Sequence, residues 1–479
     1  MTALADAGAY EVEVPVLVIG AGAAGLVAAL AAREAGAEVL VLERDPVPRG
    51  STALSAGLIP AAGTRWQRAA GVDDGPAGFA ADIMHKAGGE PDPAVVAAVT
   101  EAAGPAVEWL ADRHGLPFSL LEGFRYPGHS ALRMHGLPSR SGAELVDRLR
   151  EAAVAAGVEV LCDARVVALH AGPGGTVRGV EAVRPDGSRE RVGCAALVLA
   201  CNGYGGDPAL VARHVPELAG ALYFGHPGNQ GDALRWGEAL GAAARDLSGH
   251  QGHGSVAHPH GILITWATIT EGGVQVNLRG HRFSDESRGY SEQAAEVLRQ
   301  PDGTAWTVFD ARIAAIARQF EDFRQAEAAG AVLAADDPAE LARRMRVPPD
   351  ALAATLSEVE ALCAVGGRDG FGRHFAPAHR LRPPLHAVRV TGALFHTQGG
   401  LAVDGAARVL RPDGTALPNL FAAGGAACGV SGARAGGYLS GNGLLTAVAL
   451  GRLAGQGAAA CVAIGTGGPA TAHPGAAGF

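Results

Sequence analysis

Residues 16–44 read VLVIGAGAAGLVAALAAREAGAEVLVLER. The apolar residues 16–19 enter a turn of Gly20, Ala21, Gly22, Ala23, Ala24 and Gly25. Leu26, Ala29, Leu30 and Ala32 then recur at helical spacing, and residues 39–42 form a second apolar run. Strand, glycine turn, helix and strand in this order make a dinucleotide-binding unit. Gly20 permits the tight turn, Gly22 lets the backbone approach a pyrophosphate, and Gly25 lets the helix pack on the strand, while the N–H groups at the helix start face the phosphates. Glu43 ends the second strand. A carboxylate there accepts from both ribose hydroxyls of an adenosine and repels a 2′-phosphate, which selects FAD or NAD over NADP. The expected fold class is therefore α/β, with a Rossmann-like domain at the N-terminal end.

The remaining composition suits a globular protein of two or three domains, with 479 residues, 48% hydrophobic and 18% charged. A formal charge of −9 with scattered basic residues argues against a nucleic-acid groove and an anionic membrane partner. Residues 1–13 lack a basic start, an apolar core and a cleavage site, and no later apolar run is read as reaching the roughly eighteen residues that span a bilayer. A cytoplasmic protein without a transmembrane segment is expected. Cys162, Cys194, Cys201, Cys363, Cys428 and Cys461 stand singly, so no iron–sulfur, haem or zinc site is expected. The spacing of His250, His253, His258 and His260 matches no standard metal template.

Beyond the first acid, residues 50–64 read GSTALSAGLIPAAGT, small residues and hydroxyls able to lie against a planar ligand. This stretch resembles the flavin-cradling loop of the fumarate reductase and 3-ketosteroid dehydrogenase flavoprotein family. Residues 272–286, GGVQVNLRGHRFSDE, resemble that family's GGxxVNxxGxRFxxE segment. The resemblance implies a glutathione-reductase-type FAD-binding domain with an inserted α+β domain that caps the substrate. The attachment His of membrane fumarate reductases is missing from the loop, which implies non-covalent FAD. Cofactor contacts are then implied from Gly20, Gly22, Ala23, Ala24, Gly25, Glu43 and Arg44, and from Gly50, Ser51, Thr52, Ser55, Ala56 and Gly57. Further contacts are implied from Val167, Asn202, Gly203, Asp232, Gly424, Asn442, Leu444 and Leu445. The last helix, starting at 441–445, would point its N-terminus at the flavin pyrimidine carbonyl.

The expected layout is an FAD domain over 1–245, a cap over 246–385, the second part of the FAD domain over 386–460 and a flexible tail over 461–479. Helices are expected within 79–115, at 141–155 with Ser141 as N-cap, at 308–329 and at 336–365, and a hairpin at 178–191 about Asp186-Gly187. Residues 123–135, with Tyr126, His129, Arg133 and His135, carry too many hydrogen-bonding groups for a connector and are expected to reach the active site. A single dinucleotide fingerprint implies that electrons pass to or from an external partner, a quinone, a small redox protein or oxygen.

Departures from the fumarate-reducing members carry the functional expectation. Those members place arginines four residues after the hairpin Glu and in a C-terminal RxGGN segment; here the positions hold Tyr290 and, in YLSGN, Tyr438. Phe395 stands where they place a His, and their Glu–Arg proton relay has no match in residues 265–273, TWATITEGG. Tyrosine at both positions resembles 3-ketosteroid Δ1-dehydrogenases. Introducing a double bond beside a ketone needs a base at the α carbon, a hydride acceptor at the β carbon and donors on the carbonyl oxygen. The resemblance implies that Tyr438 and a backbone N–H of the Gly441 loop hold that oxygen. Tyr290 would be the base, helped by Tyr126, with Arg288 or His258 as alternatives. His258, Phe395, His396 and Arg434 are placed against the substrate, His258 because His258-Pro259 resembles a carboxylate-contacting AHP segment. The expected function is an FAD-dependent desaturase of a cyclic ketone, a 3-ketosteroid or a smaller cyclohexanone-type ring that carries a carboxylate or not. A fumarate- or enoate-type reductase and a non-catalytic flavoprotein are the alternatives.

Overall fold

The computed structural model describes the backbone of residues 3–5 and 9–466 and the side chains of residues 9–464. Its centre is the opening unit. Val12–Ile19 pairs parallel with Val39–Leu42 on one side and with Arg189–Leu199 on the other, and Glu159–Leu161 continues the parallel array. The Val39–Leu42 run is wholly buried, as parallel strands covered on both faces must be. Arg189–Leu199 has two partners on its other edge. Its first half pairs antiparallel with Val177–Val183 in the expected hairpin, and its last three residues pair parallel with Ala416–Ala422. That second pairing brings the C-terminal part of the chain back beside the glycine turn. A Cβ at Gly25 would lie 1.8 Å from the Gly20 carbonyl oxygen, so helix Ala23–Glu34 sits as close to the turn as it does because residue 25 has no side chain.

A second sheet of seven strands is built around the thirteen-residue strand Leu385–Thr397. His250–Ala257, Thr304–Asp310, Val332–Ala335 and Leu222–Tyr223 all pair with it. Since this strand belongs throughout to the second sheet, the chain returns to the dinucleotide sheet after Thr397 rather than at residue 386. Ser141 accepts from the Ala143 N–H at 3.1 Å as an N-cap. The region expected as a helix over 308–329 is a strand end followed by two helices, Ala311–Ala317 and Glu321–Ala328, because Asp310 caps the first at the Ile313 N–H. The helix expected over 336–365 is likewise two, Pro338–Met345 and Pro349–Val365, each opened by a proline that a helix interior would reject.

Two helices, Pro93–His114 and Asn442–Ile464, are long and apolar enough to cross a membrane by length and composition, which corrects the reading that no run approaches that length. They pack on each other, with 56% and 50% of their most apolar windows buried. The last helix continues to Thr466, so residues 461–466 belong to it rather than to a tail. The rest of the expected tail, 467–479, lies outside the described residues.

Candidate active site

The nucleotide cradle is assembled around the glycine turn. Glu43 is buried, and its two oxygens accept from the Ala21 N–H at 2.8 Å and the Asp45 N–H at 3.0 Å. Burial pushes its carboxyl above the usual range, against the pull of those two N–H groups. Gly22 caps helix Ala23–Glu34 without a side chain on the N-terminal amides, although Thr52 Oγ1 accepts from the Ala23 N–H at 3.0 Å. Ser51 Oγ accepts from Asn229 Nδ2 at 2.9 Å, and Arg44 donates to the Gly228 carbonyl at 2.7 Å. The 50–57 segment is thereby tied to the loop that leads into helix Asp232–Ala239. Ser55 Oγ accepts from the Gly57 N–H at 3.1 Å; Gly50 opens a short helix and Ala56 is exposed. Val167 sits at a bulge between Val166 and Ala168.

Asn202, in the left-handed region at φ 66°, holds the Gly203 N–H at 2.8 Å, and Gly424 follows the strand Ala416–Ala422 with a virtual Cβ 3.1 Å from Ala24 Cβ. Asp232 Oδ1 and Asn442 Oδ1 are buried without a hydrogen-bond partner, and Leu444 and Leu445 lie in the first turn of the last helix. A side-chain-free turn, a buried acid at its edge and orphaned polar atoms around it are the donor and acceptor set that FAD fits.

Beside this cradle the first turn of helix Tyr290–Leu298 faces residues 438–441. Tyr290 Oη lies 2.9 Å from Ser440 Oγ. The Tyr290 ring stacks on His253 at 4.9 Å, His253 on Phe395 at 5.2 Å and Phe395 on Phe224 at 4.8 Å, giving a ladder of four nearly parallel rings. Trp266 stands edge-on to both His253 and Tyr290. Tyr438 meets Tyr290 edgewise at 6.3 Å and His396 at 5.7 Å.

The electrostatics follow from burial. Desolvation raises the Tyr290 phenol well above its ordinary value, reinforced by Tyr438, Tyr126 and Glu292 and opposed by Ser440. Desolvation raises Tyr438 too, opposed by the backbone N–H groups of Gly441 and Gly443, which face its oxygen. Gly441 has φ 89° and a Cβ there would lie 2.7 Å from Pro60 Cδ, so the loop that presents these amides requires glycine. His253 Nδ1 accepts from the Ser255 N–H at 3.2 Å, which leaves the hydrogen on Nε2. Burial pulls the His253 imidazole down to about 3 and that of His396 to about 4, so both are neutral.

The structure thus brings Tyr290, Tyr438, Gly441, Phe395 and His396 together, while Tyr126 packs on Phe124 and acts on the two phenols through its charge alone. It does not bring His258, Arg288 or Arg434 to them, a correction to their expected placement. The paired strand ends at Ala257 and His258 follows it into solvent, so His253, within the buried strand, is the histidine that meets Tyr290. Arg434 is 64% exposed and paired with Glu90 at 2.7 Å. Arg288 is exposed. Sequence reasoning missed Ser440, Phe224, Trp266 and the role of His253. Ser440 meets Tyr290 across 150 positions of chain, and no local pattern in the sequence marks that pairing.

A fold of this kind, with a dinucleotide cradle beside a cluster of aromatic side chains, defines an FAD-dependent flavoprotein. The chain belongs to the family described as FAD binding domain, which it matches over residues 15–444. It is an FAD-dependent oxidoreductase whose relatives include fumarate reductases and a ketone dehydrogenase. A probable fumarate reductase of Shewanella frigidimarina is 31% identical over 448 residues, 93% of this chain and 74% of that one. The 4-oxocyclohexanecarboxylate 2-dehydrogenase of Sinomonas cyclohexanicum is 27% identical over 516 residues, 86% and 87% of the two chains. Among solved structures, an open flavocytochrome c3 fumarate reductase superposes with a TM-score of 0.81 at 30% identity, covering 95% of this chain and 79% of that one. The 3-ketosteroid-Δ4-(5α)-dehydrogenase of Rhodococcus jostii RHA1, solved with 4-androstene-3,17-dione, gives 0.74 at 27% identity, covering 94% and 98%. Overall identity is thus higher to these two fumarate reductases than to the two ketone-acting proteins.

Proposed function

We propose that this oxidoreductase desaturates a cyclic ketone, removing a proton from the α carbon and a hydride from the β carbon to leave an α,β double bond. The observation that carries the reading is the pair Tyr290 and Tyr438, two phenols meeting at a steep angle where a carboxylate-reducing site needs cations, with the Tyr290 hydroxyl on Ser440. Bound FAD supplies the acceptor for the hydride. Tyr438 donates to the ketone oxygen, and the Gly441 and Gly443 amides facing its own oxygen polarise that O–H toward the substrate. A donor aimed at a developing enolate oxygen is worth roughly 3 kcal/mol. The α proton passes to the Tyr290–Ser440 pair. Since Tyr290 is raised by burial and by its neighbours, the pair accepts a proton best on the alkaline side.

The stacked rings of Phe224, Phe395 and His253 give the site an uncharged aromatic side suited to an alicyclic ring, and the His253 Nε2–H adds one neutral donor. The ligands named for the two ketone-acting relatives share a six-membered ring bearing a ketone, which supports a cyclohexanone-type substrate. The test is anaerobic. Bleaching of the bound flavin by 4-oxocyclohexanecarboxylate or by a saturated 3-ketosteroid is expected. The second reading, reduction of an unsaturated acid with Tyr290 as proton donor, is favoured by the higher identity to fumarate reductases. Reoxidation of chemically reduced flavin by fumarate, with no bleaching by either ketone, would overturn the desaturase.

A further inference from the structure

We infer that His129 is a positioning residue that fixes the Tyr290–Ser440 pair from behind, itself held by a buried arginine; this rests on the reading of that pair as the proton acceptor. His129 is 5% exposed, and its Nε2 lies 2.9 Å from the Ser440 carbonyl oxygen. A carbonyl only accepts, so Nε2 carries the hydrogen and Nδ1 is left as an acceptor. Toward that acceptor, at 3.5 Å, points Arg133 Nη1. The Arg133 side chain is wholly buried and cannot rotate away. Asp74 takes its Nε and Nη2 at 2.8 Å each, Asp82 takes Nη1, and the Phe79 ring lies 4.7 Å beneath the guanidinium.

The result is a directed chain in which each hydrogen bond fixes the next: the aspartates orient Arg133, Arg133 fixes the His129 tautomer, His129 pins the Ser440 peptide, and Ser440 Oγ meets Tyr290 Oη at 2.9 Å. Burial pulls the His129 imidazole down to about 4; the Ser440 carbonyl, Asp82 and Asp74 act against this and Arg133 with it. The ring is therefore neutral at any pH at which a phenol could serve as a base, and it takes no part in proton transfer. Its contribution is geometric. A peptide at residue 440 free to turn would carry Ser440 Oγ off the phenol and deprive a forming phenolate of its hydrogen bond.

The experiment uses the full-length FAD-loaded protein with 4-oxocyclohexanecarboxylate as the probe. Three substitutions are compared, His129→Leu, His129→Gln, whose amide nitrogen reaches about as far as Nε2, and His129→Asn, whose amide does not. Rates of anaerobic flavin reduction are followed against pH, together with the 13Cζ resonance of Tyr290 in tyrosine-labelled protein, identified by its loss in Tyr290→Phe. The Leu and Asn variants should slow reduction tenfold or more with the half-saturating ketone concentration within threefold. They should move the rising limb of the pH profile upward by at least half a unit and displace the Tyr290 resonance, whereas Gln should restore all three. Should Leu not fold, the contrast between Gln and Asn decides. Wild-type behaviour in Leu or Asn, or equal losses in Gln and Leu, overturns the inference. Failure of the desaturase reading is distinguishable, since neither ketone would then bleach the flavin of the wild-type protein, while the Tyr290 resonance would still move in Leu and Asn and return in Gln.

Discussion

Tyr290 joins the two requirements of the proposed chemistry, a hydroxyl within 2.9 Å of Ser440 and an apolar stack against His253. Stacking and burial make the phenol hard to ionise, and the hydrogen bond eases that. Replacing Tyr290 by Phe removes the acceptor but keeps the stack. Ketone-dependent bleaching should therefore fall at least about a hundredfold while the flavin spectrum and thermal midpoint are kept. Tyr438→Phe should cost a similar factor, on the order of the single donor it removes. The sign of the pH dependence follows. A base works deprotonated, and the phenol's value lies above the ordinary one, so the rate of bleaching should climb with pH through 8 to 10, close to tenfold per unit, without a plateau in that range. A plateau near neutrality, measured by stopped flow, would mean that another group takes the proton.

At the scale of the element, two segments owe their form to what lies against them. Helix Ala23–Glu34 meets its turn through Gly25, where a Cβ would come 1.8 Å from the Gly20 oxygen. Gly25→Val should push the helix off the turn and abolish FAD binding, read as loss of flavin absorbance relative to protein at 280 nm. The segment over 272–286 ends in Glu286, wholly enclosed between Arg373 at 3.1 Å and Arg282, with Arg282 also paired to Asp369. Burial drives the Glu286 carboxyl up, but Arg373, Arg282 and the Gln275 N–H outweigh it and hold it below the usual range. Glu286→Gln leaves two buried guanidiniums with the single carboxylate of Asp369, which pairs with Arg282, and takes from Arg373 its ion-pair partner; denaturant unfolding should show a loss of about 3–5 kcal/mol.

Across the whole molecule, neutral buried histidines set an acid limit. Burial pulls His129, His135 and His396 to about 4 and His253 to about 3, against an ordinary 6.5. Between 6.5 and about 4 the unfolded chain binds protons there that the folded chain refuses, so stability falls as pH falls through this window. The loss should be on the order of 1–2 kcal/mol per imidazole between pH 7 and pH 5, checked by the denaturation midpoint against pH. The flavin unit was legible from sequence because its determinants are local: Gly20 to Glu43 fix turn, helix packing and ribose acid within one stretch of chain. The phenols Tyr290 and Tyr438 were legible for a different reason, since a change of charge at a motif position shows without coordinates. Three-dimensional packing alone decided that His253 meets Tyr290 while His258 turns to solvent, that Ser440 is the phenol's partner, and that Leu385–Thr397 belongs to the second, seven-stranded sheet. Each of these depends on which strand ends where and on contacts between residues far apart in the chain, and no local pattern encodes them.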